Sequence, residues 1–317
     1  MMIPVYLFTG FLESGKTCFI LSVLNDPIFN DGSKTLLIVC EEGMTEYDED
    51  YLAEKLNTKI VYVEKMEDLN YHLLNQLKEK YDPDQVFIEY NGMWSVSNLF
   101  EQVELPMGWD LAQIVSTIDA STFQNYMANM RSIMYEQLVH SDMIIFNRCS
   151  ENTKKSFLRS NIKAINRSAQ IIYESVDGSV NTLPEDEMPF DLNAKVIEVS
   201  DDDFGLWYMD AIEHPQKYKG KTVQIKGKAY EPMDDSIADC AFVIGRNAMV
   251  CCSEDTQPIG LLCYWEYAGK LAPQEWVQVT GPVDVVFDED YGEDVPVIKV
   301  ENLKVVPPLQ DELVYFN

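Results

Sequence analysis

The stretch GFLESGKT, residues 10–17, stands between an apolar run and a helix-like run. It fits the pattern G-x-x-x-x-G-K-[ST], in which backbone N–H groups of a loop surround phosphate oxygens. In that pattern the lysine contacts the outer phosphates and the hydroxyl ligates magnesium. Residues 3–8 read as a strand, and residues 16–24 as a helix whose N-terminal end faces the phosphates. This order favours a phosphate-binding loop over a chance turn.

The composition limits the partners that the chain can bind. Its 317 residues exceed one typical core, so we expect two domains. With 24 basic and 53 acidic side chains, the formal charge of -29 opposes binding to nucleic acid or anionic lipid. No apolar run has membrane-spanning length, and no signal-peptide pattern opens the chain. We therefore expect a cytoplasmic protein without membrane insertion, whose 7 cysteines are reduced thiols.

Strand and helix patterns alternate over about the first 180 residues. Helices are expected at residues 66–81 and 121–140. Further strands are expected at residues 35–40, 60–63, 85–88, 114–118, 143–146 and 169–173. Repeated βα units predict an α/β fold with a parallel sheet and helices on both faces. Together with the motif at residues 10–17, they indicate a P-loop NTPase sheet. Ligands of such sheets bind at the carboxyl ends of the strands.

Polar groups follow three of these strands. The phosphate-loop pattern follows the first, EYNG at residues 89–92 follows a middle strand, and NRCS at residues 147–150 follows a late one. This ordered set resembles the CobW/HypB/UreG family of metal-handling P-loop GTPases over residues 1–180. Members of that family carry an E-x-x-G segment and an N-K-x-D guanine reader. The stretches IVCEEG, IDASTFQNY and EQLVHSDMIIFNR are similar to further segments of the family.

The resemblance implies a nucleotide site for GTP or ATP with Mg²⁺. Lys16 would contact the outer phosphates, and Thr17 and Glu89 would hold the metal. Glu41 would lie in a nucleotide-responsive segment. The candidate catalytic residues are Lys16, Glu89 and Glu41. The candidate nucleotide-binding residues are Gly10, Glu13, Ser14, Gly15, Lys16, Thr17, Cys18, Gly92, Asn147 and Arg148, and among these the Gly92 N–H would sense the terminal phosphate. The alternative for Glu89 is that it is a solvated carboxylate at the end of a strand, with no role in the site.

Three departures from the family pattern affect these expectations. The family loop reads G-F-L-G-S-G-K-T, whereas this chain has Glu13, which either repels phosphates or turns outward harmlessly. Ser150 replaces the aspartate of the guanine reader and cannot accept two hydrogen bonds from a base edge. The family's C-x-C-C metal motif is missing, because residues 41–89 contain no cysteine.

The sequence after the α/β region changes character. We place domain boundaries at 1–180 and 203–317, joined by an acidic linker at 181–202. A helix-like run at 204–218 precedes short strand patterns at residues 222–227, 241–244, 259–263, 276–281 and 295–300. Five short strands predict a small all-β barrel of OB type. This region also resembles an uncharacterised bacterial OB-like domain associated with permeases.

Adjacent Cys251 and Cys252 are candidate ligands for a transition metal such as Zn²⁺. Neighbouring residues of a strand point to opposite faces, so both could reach one metal only at a bend or bulge. Cys240 or Cys263 could complete a thiolate site. The alternative is that these cysteines are buried and act as small apolar side chains.

Two classes of function remain open. The first is a Mg²⁺-dependent GTPase or NTPase whose hydrolysis serves metal-ion or metallocofactor homeostasis, with a protein client docked on the C-terminal domain. The second is a hydrolysis-deficient nucleotide-binding or scaffold module. Intact Lys16, Thr17, Glu89 and Gly92 favour the first class, whereas Glu13, Ser150 and the missing cysteine motif favour the second. The sequence does not fix the oligomeric state.

Overall fold

A computed structural model describes residues 2–27, 29, 32–181, 188–232, 237–252, 255–288 and 292–314, except for the side chains of residues 102, 250–252 and 255. The chain divides into two compact units. The first contains Met1–Thr153 and Ile165–Pro184, and the second contains Lys154–Ala164 and Glu185–Asn317. The boundaries derived from the sequence stay a proposal. Within the described ranges, no helix combines the length and the apolar character needed to cross a membrane.

The first unit is built on a parallel sheet of seven strands, as predicted. The strands are β1 (Ile3–Thr9), β2 (Thr35–Val39), β3 (Thr58–Tyr62), β4 (Gln85–Glu89), β5 (Trp109–Asp119), β6 (Met143–Cys149) and β7 (Gln170–Ser175). They pair in the order β3-β2-β4-β1-β5-β6-β7. Strands β2 and β4 are buried along their whole length, as their apolar runs require. The loop after β1 therefore starts from the middle of the sheet.

Helices cover both faces of this sheet. They are α1 (Lys16–Asn25), α2 (Glu49–Lys55), α3 (Tyr71–Tyr81), α4 (Val96–Gln102), α5 (Phe123–Asn129) and α6 (Arg131–Leu138). Leu74 and Leu77 of α3 pack on one side of the sheet. Ile20 and Leu24 of α1 pack on the other side. The predicted layer arrangement is therefore confirmed.

Two predicted helices of this unit are each divided. The helix expected at 66–81 consists of a 3-10 turn at Met66–Asp68 and of α3, which begins after Asn70. The Asn70 side chain accepts a hydrogen bond from the Leu73 N–H and so caps α3. The helix expected at 121–140 is divided at Met130, whose φ of -135° is not helical. Apolar periodicity continues across both breaks, which is why the sequence pattern did not reveal them.

The second unit is a separate mixed β-domain that also contains helices. Its strands are β8 (Ile197–Glu198), β9 (Thr222–Tyr230), β10 (Ala241–Cys252), β11 (Asp255–Tyr264), β12 (Trp276–Asp288), β13 (Glu293–Lys299), β14 (Asn302–Val305) and β15 (Leu313–Val314), and its helices are α7 (Lys155–Ile165), α8 (Phe204–Glu213) and α9 (Pro215–Tyr218). The helix expected at 204–218 is interrupted at His214, before Pro215.

Five strands of the second unit pair in a closed ring. β9 pairs with β10, β10 with β11, β11 with β13, β13 with β12, and β12 again with β9. Only the β11–β13 pair of this ring is parallel. The ring encloses apolar side chains that include Val223, Ile225 and Val277. A small closed barrel needs such a ring, and the OB-type assignment itself stays a prediction.

Candidate functional site

Residues 10–17 form a tight loop between β1 and α1, and two glycines make its shape possible. Gly10 has a φ of +123° and Gly15 a φ of +102°, a region that side chains with a Cβ rarely occupy. A Cβ on Gly10 would collide with the carbonyl oxygen of Thr117. A Cβ on Gly15 would collide with the amide nitrogen of Asn147. The loop therefore lies directly against the ends of β5 and β6.

The ammonium of Lys16 is buried inside this loop. Its Nζ donates hydrogen bonds to the Gly10 carbonyl at 2.7 Å and to the Phe11 carbonyl at 3.0 Å. The third partner is the Glu41 carboxylate, at 2.6 Å. The side chains of Lys16 and Glu41 are only 3% and 10% exposed, so water screens this ion pair weakly. Lys16 thus holds a carboxylate where we expect it to meet phosphate.

Glu89, the last residue of β4, is the centre of a second cluster. Its Oε1 accepts a hydrogen bond from the Thr17 hydroxyl at 2.6 Å, and its Oε2 accepts one from the Tyr47 hydroxyl at 2.6 Å. Burial raises the pKa of Glu89, and the hydrogen bonds from Thr17 and Tyr47 offset this only in part. Burial and the Glu89 charge also raise the pKa of Tyr47, so Tyr47 acts as a donor.

These donor atoms fit magnesium. Mg²⁺ prefers oxygen ligands and often takes one or two carboxylates together with phosphate oxygens. The hydroxyl of Thr17 and the carboxylate of Glu89 are 2.6 Å apart and meet at the start of α1. Nearby Cys40 does not supply a thiolate, because burial, helped by Glu89 and Glu41, raises its pKa to about 12.

The segment that follows β4 packs, through Gly92, against the loop formed by residues 10–17. A Cβ on Gly92 would collide with the Gly10 carbonyl oxygen and lie 2.7 Å from the Phe11 Cα. Gln137 joins the same two segments, because its Oε1 accepts from the Gly10 N–H at 3.2 Å and its Nε2 donates to the Trp94 carbonyl at 3.1 Å. Gln137 lies within the family-like stretch EQLVHSDMIIFNR, whose pattern alone does not predict this contact.

Glu13 turns its carboxylate toward a neighbouring segment. Its Oε1 accepts a hydrogen bond from the Met44 N–H at 2.7 Å. Its own carbonyl accepts one from Arg148 at 2.9 Å, and Arg148 is also ion-paired with Asp119 at 2.6 Å. Although burial opposes it, the hydrogen bonds from Ser121 and Arg148 lower the pKa of Asp119. Glu13 is thus held at its carbonyl and at its carboxylate.

The candidate base-reading residues lie close to this loop, but they are not equivalent. Asn147 donates from Nδ2 to the Ser14 carbonyl, while its buried Oδ1 has no hydrogen-bond partner among the described atoms. Ser150 is exposed, and its N–H donates to the Thr153 hydroxyl at 2.8 Å. Cys18, on the first turn of α1, is an exposed free thiol. Ser150 therefore belongs to a surface turn.

The proposed thiolate site receives no support from the described part of the chain. The side chains of Cys251 and Cys252 lie outside it, so that prediction stays open. Strand register pairs Cys252 with Asp255 at one end of the β10–β11 hairpin and Phe242 with Cys263 at the other. Buried Cys263 is therefore roughly 25 Å of extended strand away from that pair. Among the described residues, no group of three His, Cys, Asp or Glu could hold a metal ion.

Glu89→Gln is expected to stabilise the protein at neutral pH by about 1 kcal/mol, because it removes a buried charge. Its amide oxygen still accepts from one of the Thr17 and Tyr47 hydroxyls, and its amide N–H can donate to the oxygen of the other. The raised pKa of Glu89 means that the native state holds more protons than the unfolded state between pH 4.5 and the raised value. Unfolding free energy attributable to Glu89 therefore falls as pH rises through that window. Urea unfolding at pH 5 and pH 8 should show an advantage of the variant that grows with pH.

Glu136→Gln is the matched control of opposite sign. Despite some burial, hydrogen bonds from Ser97 and Ser95 lower the pKa of Glu136, so its charge stabilises the native state above its ordinary pKa. This variant should lose stability at pH 8. A Glu89→Gln variant less stable than the wild type at pH 8 contradicts the prediction.

Two protein-family models match the chain. The family model described as CobW/HypB/UreG, nucleotide-binding domain, matches residues 4–173. The model described as DUF1980 C-terminal domain matches residues 178–316. The two matches follow one another along the chain.

Two curated proteins are similar to parts of the chain. The UPF0703 protein YcgQ of Bacillus subtilis is 23% identical over 121 residues, which is 38% of this chain and 42% of that protein. Zinc-regulated GTPase metalloprotein activator 1 of Schizosaccharomyces pombe is 25% identical over 201 residues, which is 58% of this chain and 48% of that protein. The chain thus spans less than half the length of either relative.

Solved structures that match the chain include a hydrogenase maturation factor and a GTPase. The hydrogenase maturation factor HypB from Archaeoglobus fulgidus is 18% identical, with a TM-score of 0.38, and the alignment covers 56% of this chain and 82% of HypB. The Zn(II)-bound YjiA GTPase from E. coli is 16% identical, with a TM-score of 0.44, and the alignment covers 95% of this chain and 90% of YjiA.

Proposed function

The chain belongs to the CobW/HypB/UreG family through its nucleotide-binding domain, and from this membership we propose that it binds GTP with Mg²⁺ at residues 10–17 and hydrolyses it. The observation that carries the proposal is the convergence of Lys16, Thr17 and Glu89 at the carboxyl ends of β1 and β4. In open α/β sheets this edge is where ligands bind. The negative charge of the Glu41 carboxylate already pairs with Lys16 there, and a phosphate would bring negative charge to the same place.

Each residue has a definite part in this proposal. Lys16 binds the outer phosphates and exchanges its Glu41 partner for them. Thr17 and Glu89 would hold the magnesium ion, which supplies positive charge to the phosphate oxygens when bound. Gly92 brings a backbone N–H against the loop because it lacks a Cβ. Glu41, released from Lys16, is the candidate carboxylate for orienting the attacking water.

We also propose that nucleotide turnover serves metal-ion handling, with the second unit docking a protein client. The support is the printed name of one relative, a zinc-regulated GTPase metalloprotein activator. The thiol pair at Cys251 and Cys252 is the proposed metal contact. Titration of the full chain with Zn²⁺, with and without a Cys251→Ser change, tests the contact. Uptake that is unaffected by this change removes it from the proposal.

Isothermal titration with GTP, ATP and GDP, with and without Mg²⁺, tests nucleotide binding, and phosphate release tests hydrolysis. Because Ser150 cannot accept two hydrogen bonds from a base edge, GTP and ATP should bind within about tenfold of each other. Ser150→Asp should raise the preference for GTP by about fivefold to 150-fold, the equivalent of a bidentate base contact of about 1–3 kcal/mol. Ser150→Ala is the control and should leave the ratio unchanged.

Strong selectivity for GTP in the unmodified protein contradicts only the prediction made for Ser150, and it means that other residues recognise the guanine base. Nucleotide binding without phosphate release favours the second candidate, a nucleotide-binding module without turnover. The observation behind that candidate is the pairing of Glu41 with Lys16, which keeps the lysine occupied. Absence of binding to all three nucleotides overturns both candidates.

A further inference from the structure

Residues 41–47, here called the strap, follow β2 and cross the phosphate-type loop. Three short hydrogen-bonded contacts hold the strap, each to a different residue of the candidate site, and a longer contact of 3.8 Å joins Thr45 to the Cys18 thiol. Glu41 pairs with Lys16 at 2.6 Å, and Tyr47 donates to Glu89 at 2.6 Å. Between them, the Met44 N–H donates to Glu13 at 2.7 Å. The strap is thus fixed at both ends and in the middle.

The closed strap leaves little room over the loop. The cavity lined by Lys16, Thr17, Glu41, Gly43 and Glu89 has a volume of about 30 Å³. A buried water needs about 10–15 Å³ on this scale. The space beside Lys16 is therefore too small for a row of phosphate groups, although a groove of about 310 Å³ runs along the strap beside Thr17, Glu41 and Tyr47. All three N–H groups of the Lys16 ammonium are occupied, so phosphate can replace the Glu41 carboxylate there only if the end of the strap moves.

Bound nucleotide would disrupt the two contacts at the ends of the strap but not the contact in its middle. Lys16 and Glu89 are the groups that phosphate and Mg²⁺ need, so bound nucleotide competes directly with Glu41 and Tyr47. Glu13 lies outside that set, and its bond to Met44 can persist. We propose that Glu13 is a positioning residue, a latch that holds the strap closed, lowers nucleotide affinity in doing so, and tethers the strap after its ends are released. This inference rests on the proposed function.

The local structure around Glu13 is built for this contact. Its φ of +61° is unusual for a residue with a side chain, and Arg148 holds its carbonyl in that conformation. Gly43 lets the carboxylate approach, since a Cβ there would lie 2.8 Å from the Glu13 Oε1. A glutamate that merely repelled phosphate would need neither feature. Both features aim the carboxylate at the Met44 N–H.

Hydrogen–deuterium exchange of the nucleotide-free full chain tests the latch without relying on nucleotide binding. Glu13→Gly removes the acceptor, and glycine suits the φ of the position. Peptides that cover residues 41–47 should then exchange about fivefold to tenfold faster, the effect of one lost hydrogen bond. Glu13→Gln is the matched control, because its amide oxygen still accepts, and its exchange should equal that of the wild type. Unchanged exchange in Glu13→Gly overturns the latch.

Affinity for GTP with Mg²⁺ separates the latch from simple charge repulsion. A ligand that binds only the open strap gains affinity as the open fraction rises. Glu13→Gly should therefore bind several-fold tighter, and Met44→Pro, which removes the donor, should match it, while Glu13→Gln stays near the wild type. Equal gains in Glu13→Gly and Glu13→Gln mean repulsion alone and overturn the latch. Lack of nucleotide binding in every variant refutes the proposed function and leaves the exchange result standing.

Discussion

Lys16→Ala is expected to weaken the binding of GTP with Mg²⁺ by about 100-fold or more. The lysine supplies the principal positive charge of the loop, and a hydrogen bond from a charged donor contributes about 1.5–3 kcal/mol. It is also buried among two carbonyls and a carboxylate. Isothermal titration against the wild type measures the loss.

This variant needs a control, because it leaves Glu41 with a buried charge and no partner. An unpaired buried charge destabilises the native state. Lys16→Ala combined with Glu41→Gln removes both charges, and it should regain stability in urea unfolding without regaining affinity. Retention of wild-type affinity in either variant contradicts the assignment of residues 10–17 as the phosphate-binding loop.

Gly92→Ala is expected to destabilise the protein by about 2–3 kcal/mol and to weaken nucleotide binding at least tenfold. The added methyl would meet backbone atoms of Gly10 and Phe11, which cannot rotate away as a side chain can. Overpacking of this kind costs about 1–3 kcal/mol. The segments after β1 and β4 must then separate, and this separation displaces the Gly92 N–H from the loop.

Gly269→Ala is the matched control for this change. Gly269 also lacks a positive φ, and a Cβ there would come no closer than 3.0 Å, to a side-chain oxygen of Asp239. Its stability in urea should lie within about 1 kcal/mol of the wild type. If the two alanine variants unfold at the same urea concentration, the close packing of Gly92 against the loop does not contribute to the free energy of unfolding.

Much of the first unit could be predicted because its signals are local. Apolar runs of strand length gave the buried strands, and the spacing of Gly15, Lys16 and Thr17 placed the loop before a helix. Glu89 was predictable because parallel strands end at one edge, and a polar residue after an apolar run marks that edge. These inferences need only a few neighbouring residues.

The parts that escaped prediction depend on contacts between distant residues. Tyr47 lies 42 positions from Glu89 in a stretch without helical or strand periodicity. Glu13 was recognised as unusual, but its partner is a backbone N–H, which every residue except proline offers. Gln137 was visible only as part of a family-like segment. Residue type alone does not specify such partners.

In the second unit, alternation predicted the five ring strands but not their extent. β10 runs to Cys252 and β12 to Asp288, well beyond the predicted ends. The alternation of polar and apolar residues fades where a strand leaves the core and becomes solvated on both faces. The short strands β8, β14 and β15 were missed because two to four residues carry too little pattern.

The closed ring of the second unit bears on aggregation. An open sheet presents unpaired N–H and C=O groups that can recruit a strand from another molecule. Here the ring pairs its own strands, and the additional strands along it are short: β8 and β15 have two residues each, and β14 has four, mostly exposed. Short edges offer a poor template for another chain, and a formal charge of -29 adds repulsion between molecules. Concentrated solutions of the protein should therefore resist assembly into edge-paired fibres, even where heating loosens the first unit.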